Sequence, residues 1–96
     1  MPHQLIFTTT AKAQLEALEK TDSVKAKKVK KTLGLLQVNP WHPGLHTHPY
    51  SALEGPTREK VFEAYVENDT PSAYRVFWYD GPRASVMTIV AITPHP

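Results

Sequence analysis

An α+β fold follows from three features of the sequence. Two helical apolar stripes fill the region before Asn39-Pro40, three strand-like runs follow Lys60, and a proline-rich stretch separates them. Neither helix can bury its stripe alone. The economical packing lays both helices on one face of a three-stranded antiparallel meander, preceded by one further strand.

The first strand is Leu5-Ile6-Phe7, an edge or central strand that runs into Thr8-Thr9-Thr10, whose hydroxyls can cap a helix. From Ala11, the apolar residues Ala11, Leu15 and Leu18 recur at i, i+4 and i+7, with Lys12, Glu16, Glu19 and Lys20 off that face. Thr21-Asp22-Ser23 interrupts this helix with N-capping side chains. Ala26, Val29, Leu33 and Leu36 then resume the stripe until Asn39-Pro40 ends it, giving a two-helix hairpin.

Residues 38–59 contain Pro40, Pro43, Pro49 and Pro56 with Gly44 and Gly55, and read as a loop broken by turns, with room for a short strand around Leu53. Beyond it, Val61–Glu67 alternates, with Phe62, Ala64 and Val66 on one face and Val61, Glu63, Tyr65 and Glu67 on the other. After the turn Asn68–Ser72, the strand Ala73–Tyr79 sets Tyr74, Val76 and Trp78 against Arg75, Phe77 and Tyr79. Asp80-Gly81-Pro82-Arg83 turns the chain into a last strand, Ser85–Ile92.

Ninety-six residues are read as one domain, 1–96, with space for a single core and none for a cofactor-binding domain. The absence of cysteine excludes disulfides and thiolate metal sites, and a cytoplasmic setting is expected. The opening residues lack the pattern of a signal peptide, and no apolar run is long enough to span a membrane. Net charge is only +2, but five of the eleven cations lie between Lys25 and Lys31.

This element order, with Tyr74-Arg75-Val76-Phe77-Trp78 on the middle strand, resembles the RelE/ParE toxin superfamily of type II toxin–antitoxin systems. Asn39-Pro40 with Gly44-Leu45, Leu53-Glu54-Gly55 and the terminal Thr93-Pro94-His95-Pro96 carry the likeness over nearly the whole chain. The resemblance implies a cytoplasmic toxin neutralised by a cognate antitoxin protein, with no cofactor. One branch of the superfamily cleaves mRNA in the ribosomal A site, and another poisons DNA gyrase. A third possibility is a relative without activity whose main property is antitoxin binding. In the RNA-cleaving branch, Arg75 matches an arginine of the middle strand and His95 matches a C-terminal tyrosine or histidine. Lys60 and Arg58 stand where basic residues enter the sheet.

The residues themselves suit metal-independent RNA cleavage. That reaction needs a base for the 2′-hydroxyl proton, an acid for the departing 5′-oxygen and cations for the phosphorane. The expectation is that Arg75 holds the scissile phosphate while His95 and one of His46 or His48 share the proton transfers. Arg75 is expected to project from the open face of the sheet. Glu63 on that face can orient the arginine or act as a base, and Tyr65 or Tyr79 can stack on RNA bases. Each residue also has a structural reading. Arg75 and Glu63 suit a cross-strand ion pair, His95 a frayed tail, and Trp41 and Trp78 packing. Lys25, Lys27, Lys28, Lys30 and Lys31 suit a solvated helix face, although Lys28 and Lys31 could meet RNA or an acidic antitoxin segment. His42, His46 and His48 have the residue type of a zinc set, but no cysteine or suitably spaced acid accompanies them. Loop hydrogen bonding or RNA contact is the better account.

Overall fold

The computed structural model describes residues 3–95. Its elements are β1 (Gln4–Phe7), α1 (Thr9–Thr21), α2 (Ser23–Val38), a 3-10 turn (Pro43–Leu45), β2 (His48–Glu54), β3 (Lys60–Tyr65), β4 (Tyr74–Asp80) and β5 (Val86–Pro94). They form a five-stranded sheet in the order β1-β5-β4-β3-β2. The meander β3-β4-β5 is antiparallel as expected, and β1 is an edge strand, parallel to β5.

Both helix starts use the predicted caps. Thr8 Oγ1 accepts from the Ala11 N–H at 3.1 Å and donates to the Val90 carbonyl at 2.9 Å, so one hydroxyl starts α1 and fixes it to β5. Asp22 ends α1 through its own N–H to Leu18 O, and its side chain accepts from the Lys25 N–H to start α2. Asp22→Ala is therefore expected to lower stability by about 1 kcal/mol, read as a shift in the urea midpoint at unchanged slope.

The stripes meet the sheet. Ala11, Leu18, Ala26, Val29, Leu33 and Leu36 are buried against Ala64, Val76, Trp78, Met87, Ile89 and Ile92. Ile89 and Ile92 are three residues apart, yet both reach this core. A bulge makes that possible: Phe77 faces Ala91 and Trp78 faces Ile89, leaving Val90 as the extra residue. Gln14 of α1 then satisfies the Ile92 N–H with its side-chain oxygen at 2.7 Å. This was invisible in the sequence, where Gln14 looks like one more polar helix residue.

Two expectations change. The region 38–59 is not mainly loop: His48–Glu54 forms a full strand on β3, longer than a short piece around Leu53, with a register shift between Pro49 and Glu54. Pro49 and mostly exposed side chains erase the apolar alternation that would have marked it, as befits an edge strand. The second face of the sheet is also less open than expected. Val61, Phe77 and Tyr79 form a smaller core there, flanked by Tyr50, Val90 and Ala91, with the Tyr50 and Phe77 rings 4.8 Å apart.

Candidate functional site

Glu63 stands at the middle of the candidate site. It lies in β3, opposite His48 of β2 and Phe77 of β4, on the second face of the sheet. Its side chain is only 1% exposed, so its two oxygens require partners from the protein. His48 Nε2 lies 2.7 Å from Oε1, and His95 Nδ1 lies 2.6 Å from Oε2. Arg75 Nε approaches Oε2 at 3.8 Å, too long for a hydrogen bond but close enough to act by charge. One buried carboxylate thus gathers side chains from β2, β4 and the residue that follows β5.

Hydrogen-bond chemistry restricts the protons. His48 Nδ1 lies 2.7 Å from the His46 carbonyl, which can only accept, so Nδ1 carries a hydrogen. The other ring nitrogen faces the carboxyl group. Either His48 is an imidazolium or the shared proton rests on Glu63. His95 is bonded through Nδ1 alone among the described contacts, which places its lone pair on Nε2 when the ring is neutral. Its imidazole is 47% exposed, so this nitrogen is open to a ligand. The backbone is held as well: the His95 N–H donates to Ala73 O at 2.8 Å, and the residue is no frayed tail. Pro96, the last residue of the terminal motif, lies outside the described residues.

Arg75 occupies the expected face but does not project from it. Its guanidinium carbon sits 3.6 Å from the Tyr65 ring centroid, and Nη1 donates to the Glu67 and Tyr74 carbonyls at 2.5 and 3.1 Å. The side chain is 8% exposed and its Nε has no hydrogen-bond partner, so the group lies folded onto the sheet. A local bulge explains the pull. The N–H groups of Val66 and Glu67 both point to Tyr74 O, turning the Glu67 carbonyl toward the arginine.

The same bulge carries the Glu67 side chain away from the second face, where alternation had placed it. Its carboxylate meets Lys25 at 3.1 Å and Lys28 at 3.5 Å and accepts the Tyr74 N–H. Burial pushes the Glu67 carboxyl up, but the Tyr74 N–H, Lys25 and Lys28 outweigh it and leave it below the usual carboxylate range. A group depressed in the folded state adds stability above its unfolded value and loses it as pH falls through the folded one. The urea midpoint is therefore expected to fall on acidification into that range, and by less in Glu67→Gln.

Tyr65 joins the parts. Besides Arg75, its ring meets His46 at 4.9 Å and His48 at 5.8 Å between centroids. His46 is exposed, and its left-handed backbone (φ 50°) ends the 3-10 turn. His42 is turned elsewhere, accepting the Gly44 N–H on Nδ1 at 3.0 Å. The three loop histidines therefore take separate partners and do not converge as a ligand set.

Other residues singled out in the sequence lie apart from Glu63. Arg58 and Lys60 line a hollow of about 300 Å³ beside the β2–β3 hairpin, with Tyr50 and Leu53. Tyr79 is only 7% exposed, packed with Val61 and Phe77, so its ring is not free to stack on a base. Lys28 and Lys31 line a groove whose far wall includes Tyr65. Lys30 pairs with Glu19. Trp78 is fully buried, while Trp41 is 58% exposed and rests edge-on against Phe62 and Trp78. The sequence named Glu63 as a partner of arginine or a base; its contact with His48 depends on β2, which Pro49 concealed, and its contact with His95 on the register that brings the end of β5 alongside β4.

Among the described residues, no helix is long and apolar enough to cross a membrane. No family model and no curated protein sequence matches the chain. Solved structures do. The YoeB/ParE toxin from Agrobacterium tumefaciens superimposes with a TM-score of 0.73 at 13% identity, covering 97% of this chain and 99% of that one. The YoeB dimer from Staphylococcus aureus gives 0.72 at 11% identity, with 100% of both chains covered. The DinJ-YafQ toxin-antitoxin complex from E. coli gives 0.66 at 16% identity, covering 99% of this chain and 94% of that one. Such low identities with near-complete coverage speak to architecture, and the architecture of this chain is the RelE/ParE-like toxin fold.

Proposed function

We propose that the chain is the toxin of a type II toxin–antitoxin system and acts as a single-domain, metal-independent endoribonuclease on ribosome-bound mRNA. The observation that carries the nuclease reading is the buried Glu63 carboxylate held between His48 Nε2 at 2.7 Å and His95 Nδ1 at 2.6 Å. The toxin role and a cognate antitoxin partner draw support from solved neighbours that are toxins or toxin–antitoxin complexes.

In this reading His95 is the base. Glu63 fixes its tautomer, Nε2 takes the 2′-hydroxyl proton, and the carboxylate stabilises the imidazolium that results. The 2′-oxygen then bonds to phosphorus as the bond to the 5′-oxygen breaks, leaving a 2′,3′-cyclic phosphate and a 5′-hydroxyl. His46 supplies the proton to the leaving oxygen, because its ring is exposed whereas both nitrogens of His48 are engaged. His48 is a positioning residue that pins Glu63. Arg75 acts in the same way, and its charge offsets the phosphorane from beneath Tyr65.

Primer extension on a reporter mRNA in a purified translation system tests the reading. Wild type is expected to give new 5′ ends within ribosome-occupied codons, with none from His95→Ala and few from Arg75→Ala. An uncut message and gyrase-dependent double-strand breaks in DNA would replace it with gyrase inhibition.

A further inference from the structure

A groove of about 470 Å³ runs between α2 and the turn that joins β3 to β4. Lys28 and Lys31 stand on one wall and Asn68 and Thr70 on the other, over a floor containing Leu35 and Leu45. The volume is in the range of small-molecule sites, and an apolar floor under a cationic, hydrogen-bonding rim suits a nucleobase with its phosphate. Tyr65 belongs both to this groove and to the cluster with Arg75, His46 and His48, so the two spaces share a wall.

Charge separates the two lysines. Glu67, also at the groove, is met by Lys25 and Lys28. Lys31 is exposed and forms no ion pair among the described residues. It is therefore the cation available to an incoming phosphate, while Lys28, 54% exposed, prevents Glu67 from repelling one. We propose that this groove is a nucleotide subsite, holding the base and phosphate of the residue next to the scissile bond of a single-stranded RNA, with Lys31 as the phosphate contact. The proposal rests on the nuclease reading for the identity of its ligand, and it adds a place for the strand outside the Glu63 cluster.

The test is a titration of ¹⁵N-labelled protein with a 2′-O-methyl RNA tetranucleotide, which cannot be cleaved because the attacking oxygen is blocked. Amide shifts are expected at Thr32, Asn68 and Thr70 as well as at His46 and His48. Lys31→Ala should reduce the slope of log affinity against log salt by about 0.7, the share of one phosphate on a single strand, and Lys31→Arg should restore it. Shifts confined to the histidine cluster, no shifts at all, or an unchanged slope in Lys31→Ala would overturn the subsite. Because cleavage of ribosome-bound message by wild type and His95→Ala is scored separately, loss of the subsite leaves the nuclease reading standing. Groove shifts with a message left uncut would reject the nuclease reading instead. Binding of an acidic peptide in place of the RNA would assign the groove to a protein partner and also overturn the proposal.

Discussion

His95→Ala is expected to lower the single-turnover rate of cleavage on ribosome-bound message by about 10²–10⁴-fold, the range contributed by one proton-transfer group. The fold should survive this substitution. The His95 imidazole is half exposed, and its backbone tie to Ala73 O does not involve the side chain. Loss of the Glu63 Oε2 partner is expected to cost about 1–3 kcal/mol, so cleavage is compared at a temperature where circular dichroism shows both proteins folded. Glu63→Gln gives a second view of the same base. The amide still accepts one hydrogen bond but carries no charge to stabilise the imidazolium, so a loss in kcat at little changed KM is expected. If His95→Ala cleaved like wild type, the Glu63 cluster would be structural and the base would have to be found elsewhere.

The largest loss of stability is expected at Trp78. Its side chain is 0% exposed, stacked on Phe62 at 4.9 Å between centroids and enclosed by the helix stripes. Trp78→Ala removes the biggest buried side chain and leaves a cavity beneath both helices, at a cost of about 3–5 kcal/mol. Against a typical total of about 5–15 kcal/mol, that is enough to leave the variant marginal, with Tm lowered by at least about 12 °C. Trp78→Phe separates volume from polarity. The indole Nε1 has no hydrogen-bond partner, so phenylalanine loses no bond and should cost well under half as much. Thermal unfolding followed by far-ultraviolet circular dichroism ranks the three proteins. Equal losses for Ala and Phe would mean that cavity volume does not set the cost at this position.

The helices and the meander were legible because their periodicities are clean. Ala26, Val29, Leu33 and Leu36 are all buried, and Tyr74, Val76 and Trp78 all face the helices as alternation required. What escaped the sequence has a common cause: local irregularity breaks the period on which such reading depends. The bulge at Val90 sends both Ile89 and Ile92 to one core, the bulge at Glu67 reverses its side chain, and Pro49 disguises β2. The candidate site was half legible for the same reason. Arg75, Glu63, His48 and His95 could be named as residue types suited to phosphate chemistry. Their meeting at one carboxylate needed the register His48↔Glu63, set by a strand the sequence concealed, and Arg75↔Thr93, which brings the end of β5 alongside.

The parallel pairing of β1 with β5 bears on how the molecule comes into being. Gln4 is registered with Val86, so β1 has no partner until β5 is complete. At about 5–20 residues per second, that interval is on the order of 10 s. During it, α1 and α2 can form as a hairpin, but neither the β1 edge nor the His95 position exists. Under the nuclease reading a nascent chain is accordingly harmless until β5 has been made, and one step closes the sheet and delivers its base together. Contacts so distant along the chain also slow folding, which lengthens the interval between synthesis of β5 and closure of the sheet.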